Sequence, residues 1–258
     1  MANESISDVL NLRKRKSETP LQTIERYVAR HHKYAKAKMT YAGRLDPMAE
    51  GVLVVLAGEK NKERDAYTSL DKEYEFEFFL GYETDTFDVL GIAKKVERDP
   101  SATVTDTDIQ GSLGKYKGTI MQKYPPYSSK VINGEPMFAL ARSGRLVDKD
   151  IPTHEVKTEA VELVGSRQVS TGELLQAIRD SVMPLVGDFR QEETMKRWEE
   201  LIGSFEGQIT VFRARVVCGS GFYVRQLVQD VGNDLGTGAV TLSILRTRVG
   251  EYRLADSV

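Results

Sequence analysis

Residues 39–58, MTYAGRLDPMAEGVLVVLAG, constrain the fold more than any other stretch of this chain. Within them residues 52–57 are an unbroken run of Val, Leu and Ala bounded by Gly51 and Gly58. A short apolar run between glycines predicts a buried strand. Asp46 then lies on the loop that enters this strand, followed at once by Pro47. Two readings of that carboxylate stand side by side. An Asp before Pro usually bonds its own backbone in a turn, whereas an acid held at a strand entrance by a proline is a positioned group. Taken alone, the turn reading is the commoner.

The 258 residues are 40% hydrophobic, enough for one large core or two modest ones. Cys218 is the one cysteine and His31, His32 and His154 are the only histidines, so an intramolecular disulfide is excluded and a zinc site is not expected. The amino-terminal residues lack the apolar core of a signal segment, and no apolar run approaches a membrane span; a cytoplasmic protein is expected. The formal net charge of −2 argues against general nucleic-acid coating. Its distribution is uneven. Between residues 13 and 44 ten Lys or Arg face only Glu18 and Glu25, a local net of +8, so the remainder carries −10. A solvated helix face is the ordinary reading of such a cluster. Because it runs straight into the Asp46 loop, attraction of phosphates toward that acid is the reading favoured here.

Along the chain, Thr19-Pro20 predicts a helix start, with Leu21, Ile24, Tyr27 and Val28 on one face. Residues 59–70 are polar and helix-like. Residues 71–80, DKEYEFEFFL, alternate as a strand with Tyr74, Phe76 and Phe78 on one face and Glu73, Glu75 and Glu77 on the other. Helices are expected over 103–116, 171–183, 191–204 and 226–235, and strands over about 155–164 and 209–218. The pair 171–183 and 191–204, with Leu174, Leu175, Ile178, Val182, Trp198, Leu201 and Ile202 at helical spacing, reads as core packing by default.

Gly-Arg-Leu-Asp46-Pro followed by Met-Ala-x-Gly-Val-Leu resembles the catalytic motif of the TruB family of tRNA pseudouridine synthases. Asp71-Lys-x-Tyr74, the turn Gly81-x-x-Thr-x-Thr-x-Asp88-x-x-Gly91, the segment Tyr124-Pro-Pro-Tyr127-Ser-Ser-Lys130 with Ala141-Arg142, and Cys218-Gly-Ser-Gly-Phe-Tyr223-Val-Arg225 are similar to further blocks of that family, in the same order. The resemblance implies an α+β fold, a mixed, mostly antiparallel central sheet flanked by helices, as one catalytic domain over 1–258. It implies an RNA-gripping loop at about 121–145. Residues of about 167–205 form a helical insertion that the family pattern lacks, and the C-terminal PUA domain of many relatives is not expected.

By the same resemblance the chain isomerises the T-loop uridine of tRNA, uridine-55 of the TΨC arm, without metal or organic cofactor. Asp46 is the catalytic carboxylate, Arg225 its ion-pair partner and Tyr74 the ring that stacks on the base. Arg44, Asp88, Tyr127, Lys130 and Tyr223 are implied on the substrate, with Lys130 one position before the family's lysine, where Val131 stands. Tyr41 takes the place of a family histidine that enters the space left by the everted base; it can stack but cannot become an imidazolium. The entry block 14–20 and Leu245-Arg246-Thr247 match only in part. Two alternatives remain: the same chemistry on another RNA stem-loop, or a tRNA-binding and folding module without turnover. A monomer is expected.

Overall fold

The structure is a computed structural model that describes residues 6–97, 103–203 and 206–258. The apolar run is the strand β3, Glu50–Gly58, buried at seven of its nine positions. Both of its edges are paired. β1 (Ser7–Lys14) runs antiparallel along one edge, while β2 (Met39–Ala42) and the far end of the 11-residue strand Ala239–Val249 share the other. Numbered in chain order, the remaining long strands are β4 (Lys72–Leu80), β7 (Gly118–Lys123), β10 (Thr153–Ser170), β11 (Gln208–Cys218) and β12 (Ala239–Val249). Among the described residues they form a sheet in the order β1-β3-β12-β4-β11-β10-β7, antiparallel throughout except where β12 meets β3. The mixed sheet expected from the sequence is therefore present. Gly51 makes the β3–β12 contact possible: its φ is +109°, and a Cβ there would sit 2.2 Å from the Arg246 carbonyl oxygen.

On β4 the alternation holds. Tyr74, Phe76 and Phe78 are buried, and the opposite face carries Glu73, Glu75 and Glu77 in cross-strand ion pairs to Arg215, Arg213 and Arg167. The main core lies between the sheet and the helices α3 (Asp106–Gly114), α5 (Thr171–Val182), α6 (Gln191–Ile202) and α7 (Val224–Leu235). Trp198 is its largest fully buried side chain, packed against Phe79 and Tyr82.

Several sequence expectations change in detail. α1 (Pro20–Val28) starts as expected, with a reciprocal cap between Thr19 and Gln22, but Leu21 points to solvent at 60% exposure, and Thr23 is buried in its stead. The 59–70 stretch divides into a 3₁₀ turn, Glu59–Glu63, and the short α2, Arg64–Ser69. α3 begins only at Asp106, because Thr105 and Asp108 cap each other there. β10 runs for 18 residues rather than ten: bulges after Thr158 and Leu163 interrupt its alternation, yet it stays paired with β11 as far as Ser170. Within the stretch of about 167–205, helix begins at Thr171, since 167–170 belong to the strand. The end of the expected 191–204 helix, residue 204, lies outside the described residues. β1 and β2 carried no expectation. Among the described residues no helix is long and apolar enough to cross a membrane.

Candidate active site

Asp46 sits in the turn between β2 and β3, where the Ala49 N–H bonds to its carbonyl at 3.1 Å. Both carboxylate oxygens accept from Arg225: Nε reaches Oδ2 at 2.7 Å and Nη2 reaches Oδ1 at 3.0 Å. The turn reading, in which the side chain bonds its own backbone, is therefore not the one realised. Arg225 is 3% exposed on the first turn of α7, against the surface position that helix propensity alone suggests. A parallel two-bond contact between a guanidinium and a carboxylate fixes both direction and distance.

The other side of Arg225 is held by the turn between β5 (Tyr82–Thr84) and β6 (Ala93–Lys95). Its Nη1 donates to the Thr86 carbonyl at 2.7 Å, and Asp88 Oδ2 lies 3.5 Å from its Nε. Asp88 is itself buried and accepts from the Thr86 hydroxyl at 2.6 Å and the Leu90 N–H at 2.9 Å. Burial pushes its carboxyl up to about 6, with the Arg225 guanidinium opposing the shift. For Arg225 burial acts downward, but the charges of Asp46 and Asp88 outweigh it and hold the guanidinium above its ordinary value. Asp88 thus supports Arg225 directly while also lining the cavity, with only 3% of its surface exposed.

The Asp46 carboxylate, 31% exposed, opens onto a cavity of about 490 Å³, within the range of small-ligand sites. Tyr74 of β4 lines it, buried to 9% exposure, and burial raises its phenol. Tyr223, just before α7, lines it too; burial and the nearby Asp46 charge raise that phenol. Gln122 fixes the Tyr223 backbone by two hydrogen bonds, and Tyr124 stands edge-on to its ring. Arg44 lines the cavity and donates to the Ser129 hydroxyl at 2.9 Å, tying the Asp46 loop to the 121–145 segment. Tyr127 lines it with its hydroxyl on Asp85 at 3.0 Å. Asp85 also accepts from the Ile92 N–H and so caps the turn that carries Asp88.

Two candidates stand apart. Lys130 is exposed and lies over the Tyr124 ring, 5.3 Å from its centre, outside the cavity lining. Tyr41, on β2, packs against the Leu12, Ile24, Leu53 and Val55 cluster and does not line the cavity. The basic 13–44 segment is likewise only partly free: Lys14 is fully buried, Arg26 pairs with Glu18 and Lys33 with Asp8. The positive lining instead gathers Arg44, Lys72, Arg142, Arg190, Arg225 and Arg246 from across the chain against Asp46, Asp88 and Asp188. Six cations against three acids in a concave surface attract phosphate despite the negative total.

Sequence reasoning assigned no role to Lys14, Lys72 and Arg246. Lys72 donates to the Thr68 and Leu70 carbonyls, Arg246 to the Val52 and Gly43 carbonyls, and Lys14 to the Pro47 and Ala49 carbonyls at the Asp46 loop. A signal for each was present. Lys14 follows Leu10 and Leu12 at period two, Lys72 precedes Tyr74 and Phe76, and Arg246 follows Leu242 and Ile244. A cation in the apolar phase of a strand is a buried cation with carbonyls to satisfy. Among the described residues no group of three or more His, Cys, Asp or Glu is placed to hold a metal.

The model of the TruB family pseudouridylate synthase N-terminal domain matches residues 30–176. A tRNA pseudouridine synthase B of Pseudomonas fluorescens is 32% identical over 221 residues, 86% of this chain and 57% of that protein. The Bacillus cytotoxicus protein of the same name is 29% identical over 86% of this chain and 60% of its own length. That of Bacteroides thetaiotaomicron is 28% identical over 89% and 79%. The chain thus spans less than two thirds of the first two relatives. Among solved structures, a Cbf5–Nop10–Gar1 complex superposes with a TM-score of 0.55 at 20% identity, over 95% of this chain and 49% of that one. An H/ACA RNP bound to a substrate RNA containing 2′-deoxyuridine gives 0.50 at 19%, over 95% and 48%. At such identity the likeness is one of fold: a pseudouridine synthase-like sheet flanked by helices.

Proposed function

Because the chain belongs to the TruB family of pseudouridylate synthases, we propose that it converts a tRNA uridine, the one in the T-loop, to pseudouridine. The observation that carries this reading is the two-bond Asp46–Arg225 contact at the mouth of a nucleoside-sized cavity. A uridine stacked in an RNA loop is out of reach of a carboxylate at the wall of a cavity until it is turned out of the stack, at a cost of a few kcal/mol. Tyr74 then offers the uracil a flat apolar face with a polar tip, and Tyr223 bounds the other side of the space. The cationic lining receives the flanking phosphates.

In the reaction the C1′–N1 bond breaks, the uracil turns, and a C1′–C5 bond forms; the proton lost from C5 is balanced by one gained at N1. Reactant and product are isomers, so no redox partner is called for. Asp46 acts on the sugar as an anion, either by attacking C1′ or by taking a ribose proton to leave a glycal. Both routes require the acid to be aimed at the sugar, and Arg225 does this, being buried, two-pronged and itself held by Asp88 and the Thr86 carbonyl.

The test is a carbodiimide and mass readout of pseudouridine in T-stem-loop RNA, for wild type and Asp46→Asn, alongside RNA affinity. Wild type is expected to modify the T-loop uridine and Asp46→Asn to fall to background with binding retained. Equal product from both proteins would overturn the assignment of Asp46. Retained binding with no product from either would favour the folding module.

A further inference from the structure

The connection between α5 and α6 lies beyond the residues matched by the family model, which ends at 176, yet it forms one wall of the cavity. Asp188, Phe189 and Arg190 all line that space. Arg190 Nη1 meets Asp85 Oδ2 at 2.7 Å, the same oxygen that accepts the Tyr127 hydroxyl at 3.0 Å. Its guanidinium also lies over the Tyr127 ring, 5.3 Å from the ring centre. One carboxylate oxygen therefore fastens two segments more than sixty residues apart, with cation and ring stacked beside it. From the 121–145 segment the last residue of α4 (Met137–Arg142), Arg142, reaches back to pair with Asp188 at 2.7 Å.

This wall is built, not draped. Arg190 holds a left-handed backbone, φ +60°, which non-glycine residues seldom adopt without support. Gln191 supplies that support, accepting from the Phe189 N–H and donating to the Leu185 and Gly187 carbonyls. α6 is in turn bolted to the turn that carries Asp88: Trp198 Nε1 donates to the Val89 carbonyl, Thr194 to that of Leu90 and Arg197 to that of Ala93. Phe189 remains half-buried, packed on the core on one side and lining the cavity on the other.

We propose that the α5–α6 connection is a substrate-side clamp, in which Arg190 is a positioning residue that fixes Tyr127 and the 121–145 segment over the cavity, while Phe189 gives an apolar ring to the RNA nucleotide that enters beside the target. The proposal rests on the RNA-modifying function proposed above. An aromatic ring facing a cationic groove is the combination that holds an unpaired nucleotide, by stacking and by phosphate contact together.

The experiment compares wild type, Arg190→Ala, Arg190→Lys and Phe189→Ala. It measures steady-state kinetics and affinity with T-stem-loop RNA, and tryptic cleavage after the exposed Lys130 without RNA. Arg190→Ala is expected to raise KM about tenfold while kcat changes less than about threefold, the pattern of lost binding rather than lost chemistry, and to speed cleavage after Lys130. Arg190→Lys, which keeps the charge facing Asp85, recovers part of both. Phe189→Ala raises KM and weakens RNA binding by about tenfold, with cleavage unchanged. Unchanged KM and cleavage in Arg190→Ala would overturn the clamp, as would a fall in kcat and melting temperature with KM intact, the mark of a purely structural role. Should wild type yield no pseudouridine, the functional reading fails on its own account. The clamp then stands on RNA affinity and cleavage, and falls if Arg190→Ala alters neither.

Discussion

Arg225 and Lys72 line the same cavity and are equally buried, at 3% and 4% exposure, but they are satisfied in opposite ways. Arg225 faces the carboxylates of Asp46 and Asp88. Lys72 is met by backbone carbonyls, as are Arg246, which also lines the cavity, and Lys14, which lies behind the Asp46 loop. The consequence is visible in their protonation. Burial depresses Lys14 and Lys72 to about 8, while Arg225 is held above its ordinary value by its acids. The carbonyl-bound cations fasten chain to chain: Lys14 anchors the Asp46 loop, and Arg246 ties Gly43 to β3. The carboxylate-bound cation instead fixes the direction of the Asp46 carboxylate, the acid proposed to react. One cavity thus uses buried positive charge for two jobs, separated by what receives it.

The comparison breaks most sharply at Arg225. Arg225→Met leaves Asp46 and Asp88 facing each other without a cation, and removing one partner of a buried pair costs about 3–5 kcal/mol. The expected outcome is an unfolding free energy in water, extrapolated from urea titration, lower by that amount, with a correspondingly lower midpoint and no pseudouridine formed. If Arg225→Met unfolds at the wild-type midpoint, the pair does not carry the charge balance described here.

A smaller effect is expected at Lys14. Lys14→Met orphans the carbonyls of Pro47 and Ala49, a loss of about 1–3 kcal/mol, and it alters the pH dependence. The folded amine titrates at about 8 and the unfolded one near 10.5, so between those values the folded state gives up its proton first. Stability supported by the wild-type residue, relative to Lys14→Met, then rises as pH increases from 8 to 10.5. Urea unfolding at pH 7.5 and 10 checks the sign; a gap that narrows with pH would mean the ammonium, not the amine, is the form that the site prefers.

The smallest effect belongs to the outer face of β4, where Glu75 and Arg213 pair across the sheet with side chains 29% and 53% exposed. Glu75→Gln should cost no more than about 1 kcal/mol, and less in high salt. A larger, salt-insensitive loss would erase the contrast between surface and cavity charge.

Much of this was legible without coordinates, and particular residues explain why. The 52–57 run gave β3 because uninterrupted Val and Leu can only be buried, and the Tyr74, Phe76, Phe78 alternation gave the core face of β4. The α1 start followed from Thr19-Pro20, since a hydroxyl cap and a fixed φ act locally. Leu21 was misjudged because a local apolar face does not say what covers it. The expected end of β10 falls short of the observed one because most of its paired residues past 164 are polar, with Val169 the exception, and its bulges break the period. Asp88 looked like a substrate contact from its motif, and its placement behind Arg225 depends on β12 holding the turn, with the Val89 N–H on the Thr241 carbonyl.

By itself the sequence determined β3, the core face of β4, the start of α1, the family motifs and the candidate acid, because each of these is written in neighbouring residues. Only the tertiary structure decided which charges meet. Asp46 and Arg225 lie 179 positions apart, and Asp85 is 105 from Arg190. Such pairs depend on the strand order β3-β12-β4, with α7 packed against β12 and β4, and on burial, which turns a solvated charge into one that must find a partner.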